Sequence, residues 1–244
     1  MVSIAFLMGE IFLDKTLKYS FLQSVPVLLG YVFLGMAFGI LLQQAGYGVI
    51  WAFFISLTVY AGSMQFVLVS FLREGTPLGV VAAMTLLINS RHLFYGISFV
   101  DKFKRMGRKY FYMIFSLTDE TYSLLCALDV PDGVDEKKAS YLISAMNQSY
   151  WVTGSVIGAI AGQLIPFDFT GIDFSMTALF TVIFIEQWMG YKSHFPAIAG
   201  IISSIFFLIV LGPDRFILPS LIATVFMLMA GKKKVMHAME GGKR

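Results

Sequence analysis

Two adjacent carboxylates, Asp119 and Glu120, lie inside the otherwise apolar or weakly polar stretch 110–128. A charged side chain in a lipid-facing segment is costly, so it calls for a specific role. One interpretation is a carboxylate that carries a proton or anchors an ammonium group. The other is that "TDET" caps a helix start at an interface. Helix neighbours point about 100° apart, so both acids share one small site only where the helix breaks.

A second polar cluster, "LINSRHLFYG" (87–96), interrupts a long apolar run. Arg91 is suited to pair with Asp119 or Glu120 across a cavity, and Asn89 is suited to bond backbone groups that a helix break sets free. The alternative for the arginine is a side chain that reaches from a helix end to the interface. Both interpretations remain open on the sequence alone.

The third cluster, "YAGSMQF" (60–66), lies deep in an apolar run. Gly62 and Ser63 permit either close helix contact or local unwinding, and unwinding would free backbone groups to bind a carboxylate or an amine. Gln65 adds a neutral partner with two bonding ends, or else makes an ordinary bond between helices. The counterparts expected in the second half of the chain are Glu186 with Gln187, and the run Asn147, Gln148 and Ser149.

The composition indicates a membrane protein that must position these clusters on helices. Of the 244 residues, 57% are hydrophobic and 14% are charged, against roughly 25% charged in soluble domains. No Asp, Glu, Lys or Arg occurs from Tyr19 to Leu72 or from Ala139 to Phe167. A helix needs about 20 apolar residues to cross a bilayer, so both runs are long enough to span it. The predicted fold class is therefore an all-α polytopic membrane protein.

Hydropathy and charge together predict about seven membrane-spanning helices. The basic loop 101–109 and the tail from Lys232 are expected on the cytoplasmic side, which requires an even number of crossings between them. The segment 110–128 is therefore predicted to be broken, re-entrant or interfacial, with the N-terminus outside. The predicted spans are about 21–43, 49–72, 78–100, 139–165, 173–190, 195–211 and 216–231. The predicted domains are an N-terminal amphipathic segment 1–18, one transmembrane domain 19–231 and a basic cytoplasmic tail 232–244.

A faint internal repeat accompanies this arrangement. "GMAFG" (35–39) resembles "GAIAG" (158–162), and the same offset brings Gln65 opposite Gln187. The proposed halves, about 19–100 and 139–231, would be inverted if three crossings separate the start of one copy from the start of the next. Glycine ridges in both halves are predicted to pack helices closely, at Gly35, Gly39, Gly154, Gly158 and Gly162.

Signatures of other functional classes are missing from the sequence. No nucleophile elbow, zinc-protease motif or phosphate-binding loop occurs, and the three histidines are far apart. A single cysteine, Cys126, excludes an internal disulfide. We therefore expect no enzyme, no metal, no cofactor and no nucleic-acid partner.

The ordered clusters "VPVLLGYVFLGMAFG", "YAGSMQF", "INSRHLFYG" and "SLTDET" resemble the AzlC family of branched-chain amino acid permeases over about residues 18–210. The resemblance implies a multi-pass protein of the bacterial cytoplasmic membrane that exports branched-chain amino acids. It also implies a separate, small, hydrophobic AzlD-like membrane subunit as a partner. The motif positions that it implies to be functional are Gln65, Asn89, Arg91, Asp119 and Glu120.

A mechanism follows as a hypothesis, because the ammonium and carboxylate of an amino acid need opposite partners in a low-dielectric site. The predicted substrate-binding residues are Gly62, Ser63, Gln65, Asn89, Arg91 and Gln187. The predicted proton-coupling residues are Asp119, Glu120 and Glu186, since no ATP-binding motif is present. The alternatives are a membrane scaffold or regulatory subunit that does not transport, or an exporter of another small amphipathic metabolite.

Overall fold

The computed structural model describes residues 15–164, 174–190, 193–212 and 216–240. Within those ranges every regular element is a helix, which confirms the predicted all-α class. A 3-10 turn, Gly107–Lys109, precedes α5. The α-helices are α1 (Lys15–Gln44), α2 (Val49–Thr58), α3 (Gly62–Glu74), α4 (Leu78–Lys104), α5 (Tyr110–Phe115), α6 (Asp119–Cys126), α7 (Glu136–Leu164), α8 (Phe174–Gly190), α9 (Phe195–Leu211) and α10 (Ile217–Glu240).

The chain divides into two compact units. One unit comprises Met1–Gly75 and Asn89–Asp173, and the other comprises Thr76–Ile88 and Phe174–Arg244. Ser63, Arg91 and Asp119, one residue from each polar cluster, all lie in the first unit. The proposed chemistry therefore depends mainly on how that unit folds.

Helices α1 and α7 form the centre of the first unit and run in the same direction. Near their N-termini, Ser20 Oγ donates to the carbonyl oxygen of Ala139 at 3.5 Å. Much further along both helices, the Cα position of Gly158 lies against the backbone of Met36. Because the contacting residue on α7 advances together with the residue on α1, the helices are parallel and remain in contact over most of their length.

The predicted glycine ridges bring these two backbones close together, as expected. A Cβ atom built on Gly154 would lie 2.6 Å from the carbonyl oxygen of Val32, and one on Gly35 would lie 2.9 Å from that of Trp151. Real side chains essentially never approach backbone atoms so closely, so glycine is required there. Gly162 is less constrained, because its Cβ would meet the Cα atom of Ile40 at 3.5 Å.

The direction of α1 and α7 corrects one expectation about the repeat. These helices carry "GMAFG" (35–39) and "GAIAG" (158–162), which were aligned as equivalent segments of inverted halves. Helices related by inversion would run in opposite directions, but these two run in the same direction. The predicted inversion is therefore wrong for this pair.

The segment 110–128 is broken and turns back on itself, as predicted. It begins where Lys109 Nζ lies 4.3 Å from the ring centroid of Tyr141, in the second turn of α7. It ends where the carbonyl oxygen of Asp129 accepts a 2.6 Å hydrogen bond from Tyr19 Oη, at the start of α1. Both ends therefore lie at the N-terminal end of the α1–α7 pair, and α5 and α6 form a hairpin between them.

The segment 49–72, predicted as one span, is a second hairpin. Helix α2 leaves the C-terminal end of α1 through a tight turn in which Tyr47 N–H donates to the carbonyl oxygen of Leu42. It ends beside Gln148, whose Nε2 donates to the carbonyl oxygen of Leu57 at 3.1 Å. The predicted single crossing is therefore wrong, because α2, with ten residues, is only about 15 Å long.

Helix α3 runs back toward the end from which α2 came. It starts where a Cβ on Gly62 would lie 3.2 Å from the indole of Trp151. One turn later, the ring of Phe66 lies 6.1 Å from that of Phe38. Phe38 lies two turns nearer the C-terminal end of α1 than Tyr31, whose ring packs on Trp151. The reversal occurs at Tyr60, whose φ of 38° is the left-handed conformation that side chains other than glycine rarely adopt.

Few described helices are long and apolar enough to cross a membrane by themselves. Lys15–Gln44 meets that standard, and Leu78–His92 with Tyr95–Lys104 would be a second if this pair, bent by 58°, counts as one span. The predicted count of seven is therefore not confirmed. Helix α7 is long, but its buried face includes the polar residues Ser140, Ser144, Asn147, Gln148 and Ser155.

The second unit contains α8, α9 and α10. Ser203 Oγ on α9 bonds Thr224 Oγ1 on α10, and the ring of Phe195 lies against Gly231. Helix α8 includes positions 186 and 187, but the side chains of Glu186 and Gln187 lie outside the described residues. The predicted segment 1–18 and tail 232–244 lie largely outside them too, and the domain boundaries remain predictions.

Candidate functional site

Arg91 joins the two hairpins in the first unit. Its Nη1 lies 2.8 Å from Asp119 Oδ2, at the first residue of α6. Its Nη2 donates to Ser63 Oγ at 2.6 Å, in the first turn of α3. The expected pairing of Arg91 with one of the two acids is thus observed, and the acid is Asp119.

This ion pair is only partly buried. The side chains of Arg91 and Asp119 are 24% and 30% exposed. Arg91 Nε and Asp119 Oδ1 are both buried and have no hydrogen-bond partner among the described residues. Buried polar atoms are usually paired, so one donor and one acceptor remain here for a further group.

Glu120 has a separate partner and belongs to a different contact. Its Oε2 accepts a 2.7 Å hydrogen bond from Tyr31 Oη, midway along α1. Glu120 as a whole residue is exposed, whereas Tyr31 is only 4% exposed. The two neighbouring acids therefore point to different partners, as the helical angle between adjacent residues requires.

Thr118 starts α6, which confirms the N-cap interpretation of "TDET". Its backbone is extended, and its Oγ1 accepts a 3.3 Å hydrogen bond from the Thr121 N–H. Thr118 Oγ1 also lies 2.6 Å from Tyr31 Oη and donates to Thr121 Oγ1 at 3.0 Å. The helix cap and the partner of Glu120 are therefore parts of one hydroxyl cluster.

The reversals of the two hairpins lie close together. The ring of Tyr60, at the turn between α2 and α3, lies 6.2 Å from the ring of Phe115, at the end of α5. Tyr60 is 3% exposed, and its hydroxyl has no hydrogen-bond partner within the described parts of the chain. Two half-length hairpins thus approach each other from opposite ends of the α1–α7 pair.

The predicted site residue Gln65 is part of the packing instead. Its Oε1 accepts a 2.7 Å hydrogen bond from Trp151 Nε1, and its Nε2 lies 3.5 Å from Ser56 Oγ. The side chain is completely buried. Both ends of the amide are occupied, which favours the interpretation of a bond between helices. Gly62 lies against the same indole ring.

Asn89 lies within α4, two positions before Arg91. Its Oδ1 is buried and has no partner among the residues described here. The structure therefore brings Ser63, Arg91 and Asp119 together, with Glu120 next to them. The side chains of the other two candidates, Glu186 and Gln187, are not described.

Several contributing residues on α1 and α7 were not among the predicted site residues. Gln148 supports both hairpins, because it bonds the last turn of α2 and its Oε1 accepts from Tyr112 Oη on α5 at 2.8 Å. Asn147 Nδ2 donates to Thr121 Oγ1 at 3.0 Å and is completely buried. Polar residues within the two charge-free runs could have indicated these contacts: "NQ" (147–148) in the run 139–167, and Tyr31 in the run 19–72.

A protein-family model described as "AzlC protein" matches residues 26–165. This range contains α1 from its second third onward, both hairpins and α7. It therefore includes every described residue of the arginine, glutamate and hydroxyl contacts. No solved structure matches the chain.

Curated relatives match along most of the chain. The "Branched-chain amino acid transport protein AzlC" of Bacillus subtilis is 40% identical over 222 residues, which are 91% of this chain and 87% of the relative. An "Uncharacterized membrane protein" of Helicobacter pylori is 38% identical over 91% of this chain and 97% of its own length. The "Inner membrane protein YgaZ" of Escherichia coli is 30% identical over 70% of this chain and 73% of the relative.

Proposed function

The chain belongs to the AzlC family, and from this premise we propose that it is a secondary transporter that exports branched-chain amino acids across the bacterial cytoplasmic membrane. Support for the substrate class comes from the name of the Bacillus subtilis relative, a branched-chain amino acid transport protein. The observation that carries the proposal is the partly exposed Arg91–Asp119 pair where two broken hairpins approach each other.

The substrate is proposed to bind at this pair because an amino acid carries both charges. The guanidinium of Arg91 and the free N–H groups in the first turn of α3, near Gly62 and Ser63, favour a carboxylate. The unpaired Oδ1 of Asp119 is suited to the ammonium group. Phe115, which is 43% exposed, provides apolar surface near the hairpin reversals for a branched aliphatic side chain.

Coupling to protons is proposed to use Glu120. Asp119 is held in an ion pair, whereas Glu120 has an uncharged hydroxyl partner, which leaves its carboxyl group available to take up a proton. Glu186 stays a proposed second proton carrier, and Gln187 and Asn89 stay proposed binding residues. A small AzlD-like subunit is the proposed partner.

The membrane topology is proposed to comprise about six crossings and two half-length hairpins. The crossings would be α1, α4, α7, α8, α9 and α10, and the hairpins α2–α3 and α5–α6 would enter from opposite faces. An even number returns the chain to its starting side. Lys15, Lys18, the loop 101–109 and the tail from Lys232 are then all cytoplasmic, in accord with the positive-inside rule.

Single-cysteine labelling tests this topology in a Cys126→Ser background. We expect Gln44→Cys and Glu74→Cys, which flank α2–α3, to react with an impermeant thiol reagent added outside intact cells. Arg105→Cys and Asp132→Cys, which flank α5–α6, should react only after permeabilisation. All four positions are exposed. Opposite accessibility within either pair would show that its hairpin crosses the membrane.

Counterflow in liposomes tests the transport function itself. We expect protein reconstituted with its small partner to accumulate labelled leucine against unlabelled leucine, isoleucine or valine inside the vesicle. Lysine and glutamate inside should not support accumulation, because their charged side chains do not suit an apolar wall. A pH gradient that is acidic on the side to which the substrate moves should drive net flux if protons are exchanged for substrate.

The control is an Arg91→Gln protein reconstituted at the same density. If the parent protein, with its partner present, accumulates no more of any amino acid than empty liposomes do, transport is rejected and a scaffold is favoured. Counterflow with an unrelated amphipathic metabolite alone would retain transport but change the substrate.

A further inference from the structure

A chain of hydroxyl groups leads from Glu120 into the buried face of α7. Three oxygen–oxygen contacts connect four side chains: Glu120 to Tyr31 at 2.7 Å, Tyr31 to Thr118 at 2.6 Å, and Thr118 to Thr121 at 3.0 Å. The chain ends at Asn147, whose Nδ2 donates to Thr121 Oγ1 at 3.0 Å. Tyr31, Thr118, Thr121 and Asn147 are all buried.

The number of available protons limits how these contacts are made. Each hydroxyl has one proton, and each of the three oxygen–oxygen contacts needs one between its atoms. Because Thr118 donates to Thr121, the proton of Tyr31 is the only one left for two contacts, those with Thr118 and with Glu120. A proton on Glu120 resolves this, since Glu120 then donates to Tyr31 and Tyr31 to Thr118.

Ionisation of Glu120 reverses the order. Tyr31 must then donate to the carboxylate, Thr118 to Tyr31, and Thr121 to Thr118. The neutral state instead leaves the proton of Thr121 for another acceptor. Asn147 Oδ1 and Tyr60 Oη are buried next to this cluster and have no partner among the described residues, so acceptors are present.

We propose that Tyr31, Thr118, Thr121 and Asn147 form a hydrogen-bonded relay whose direction follows the protonation state of Glu120. The relay rests on the proposed role of Glu120 in proton coupling. It links the carboxylate of Glu120 to α1 and α7, the two helices that form the centre of the first unit. Tyr31 is the positioning residue, because its hydroxyl contacts both the Glu120 carboxylate and Thr118, the next member of the relay.

Several other charged and titratable groups lie around Glu120. Asp119 is next to it on α6, Arg91 faces both acids from α4, and Tyr60 faces it from the α2–α3 turn. Arg91 is bonded to Asp119 and Ser63. Glu120 therefore depends on Tyr31 as its hydrogen-bond donor, and loss of that donor should change how it titrates.

Infrared titration of the full-length protein in detergent tests the relay without transport. The parent should show a protonated-carboxyl band that disappears as the pH rises, and Glu120→Gln should remove that band. Tyr31→Phe should shift the frequency of the band and raise its pH midpoint by about one unit, because a donor to the ionised carboxylate is lost. Tyr19→Phe, a substitution on the same helix far from Glu120, should leave both unchanged.

Two substitutions at Thr118 separate the relay from a structural effect. Thr118→Ser keeps the hydroxyl and should keep the parent midpoint, whereas Thr118→Val should shift it. A Tyr31→Phe band identical to the parent's, or an unaltered band in Glu120→Gln, would overturn the relay even if liposomes transport leucine. A relay that behaves as expected in protein that gives no counterflow would instead reject the proposed function alone.

Discussion

Replacing Gly158 by alanine is expected to separate the α1–α7 pair and lower the stability of the protein by about 2–3 kcal/mol. The added methyl group would lie against the backbone oxygen, Cα and carbonyl carbon of Met36. A backbone cannot move aside as a flexible side chain can, so the whole helix must shift. The thermal unfolding midpoint in detergent should fall, and Gly158→Leu should yield no monodisperse protein.

Two glycines provide matched controls for this prediction. Gly162→Ala, one turn further along the same helix, meets Ile40 only at ordinary contact distance, and Gly30→Ala on α1 meets nothing within 4 Å. Alanine favours a helix over glycine by about 1 kcal/mol, so both controls should be neutral or slightly stabilising. A Gly158→Ala protein as stable as these controls would contradict the close parallel packing of the two helices.

Arg91→Gln is expected to reduce leucine counterflow by about a hundredfold. The glutamine loses the charge that the substrate carboxylate would meet and leaves Asp119 without its cation. The pair is about a quarter to a third exposed, so the stability cost should be about 1–3 kcal/mol, below that of a fully buried pair. Thermal unfolding and counterflow of the same preparation measure the two effects.

The double substitution Arg91→Gln with Asp119→Asn separates structure from function. Two neutral amides leave no unpaired charge, so stability should recover toward the parent while transport remains lost. Arg91→Lys should be intermediate, because an ammonium group keeps the charge but cannot hold Ser63 and Asp119 in the same planar fork. Recovered counterflow in the double variant would show that the pair only stabilises the fold.

Local features of the sequence predicted local structure well. "TDET" predicted the cap that Thr118 makes, because an N-cap depends on residues within one turn. The glycine ridges predicted close packing, since small residues at helical spacing leave room for another backbone. Arg91 was expected to pair with one of two acids, because an unpaired charge among apolar helices is costly.

Hydropathy could not predict that the segment 49–72 folds back on itself. One crossing helix and two half-length helices made of the same apolar residues have the same mean hydropathy. The difference depends on distant residues, because Gln148 bonds the backbone oxygen freed at Leu57 and Trp151 lies against Gly62. Tyr60 adopts its left-handed backbone only with such support.

The sequence by itself determined the all-helical membrane class, the broken segment 110–128 and the residue types gathered around Arg91. These follow from composition and from interactions within a few residues. Only the tertiary structure decided that α1 and α7 are parallel, that two hairpins approach from opposite ends, and that Asp119 faces Arg91 while Glu120 faces Tyr31. Those choices depend on contacts between residues about 30 to 120 positions apart, for which a single sequence carries no direct signal.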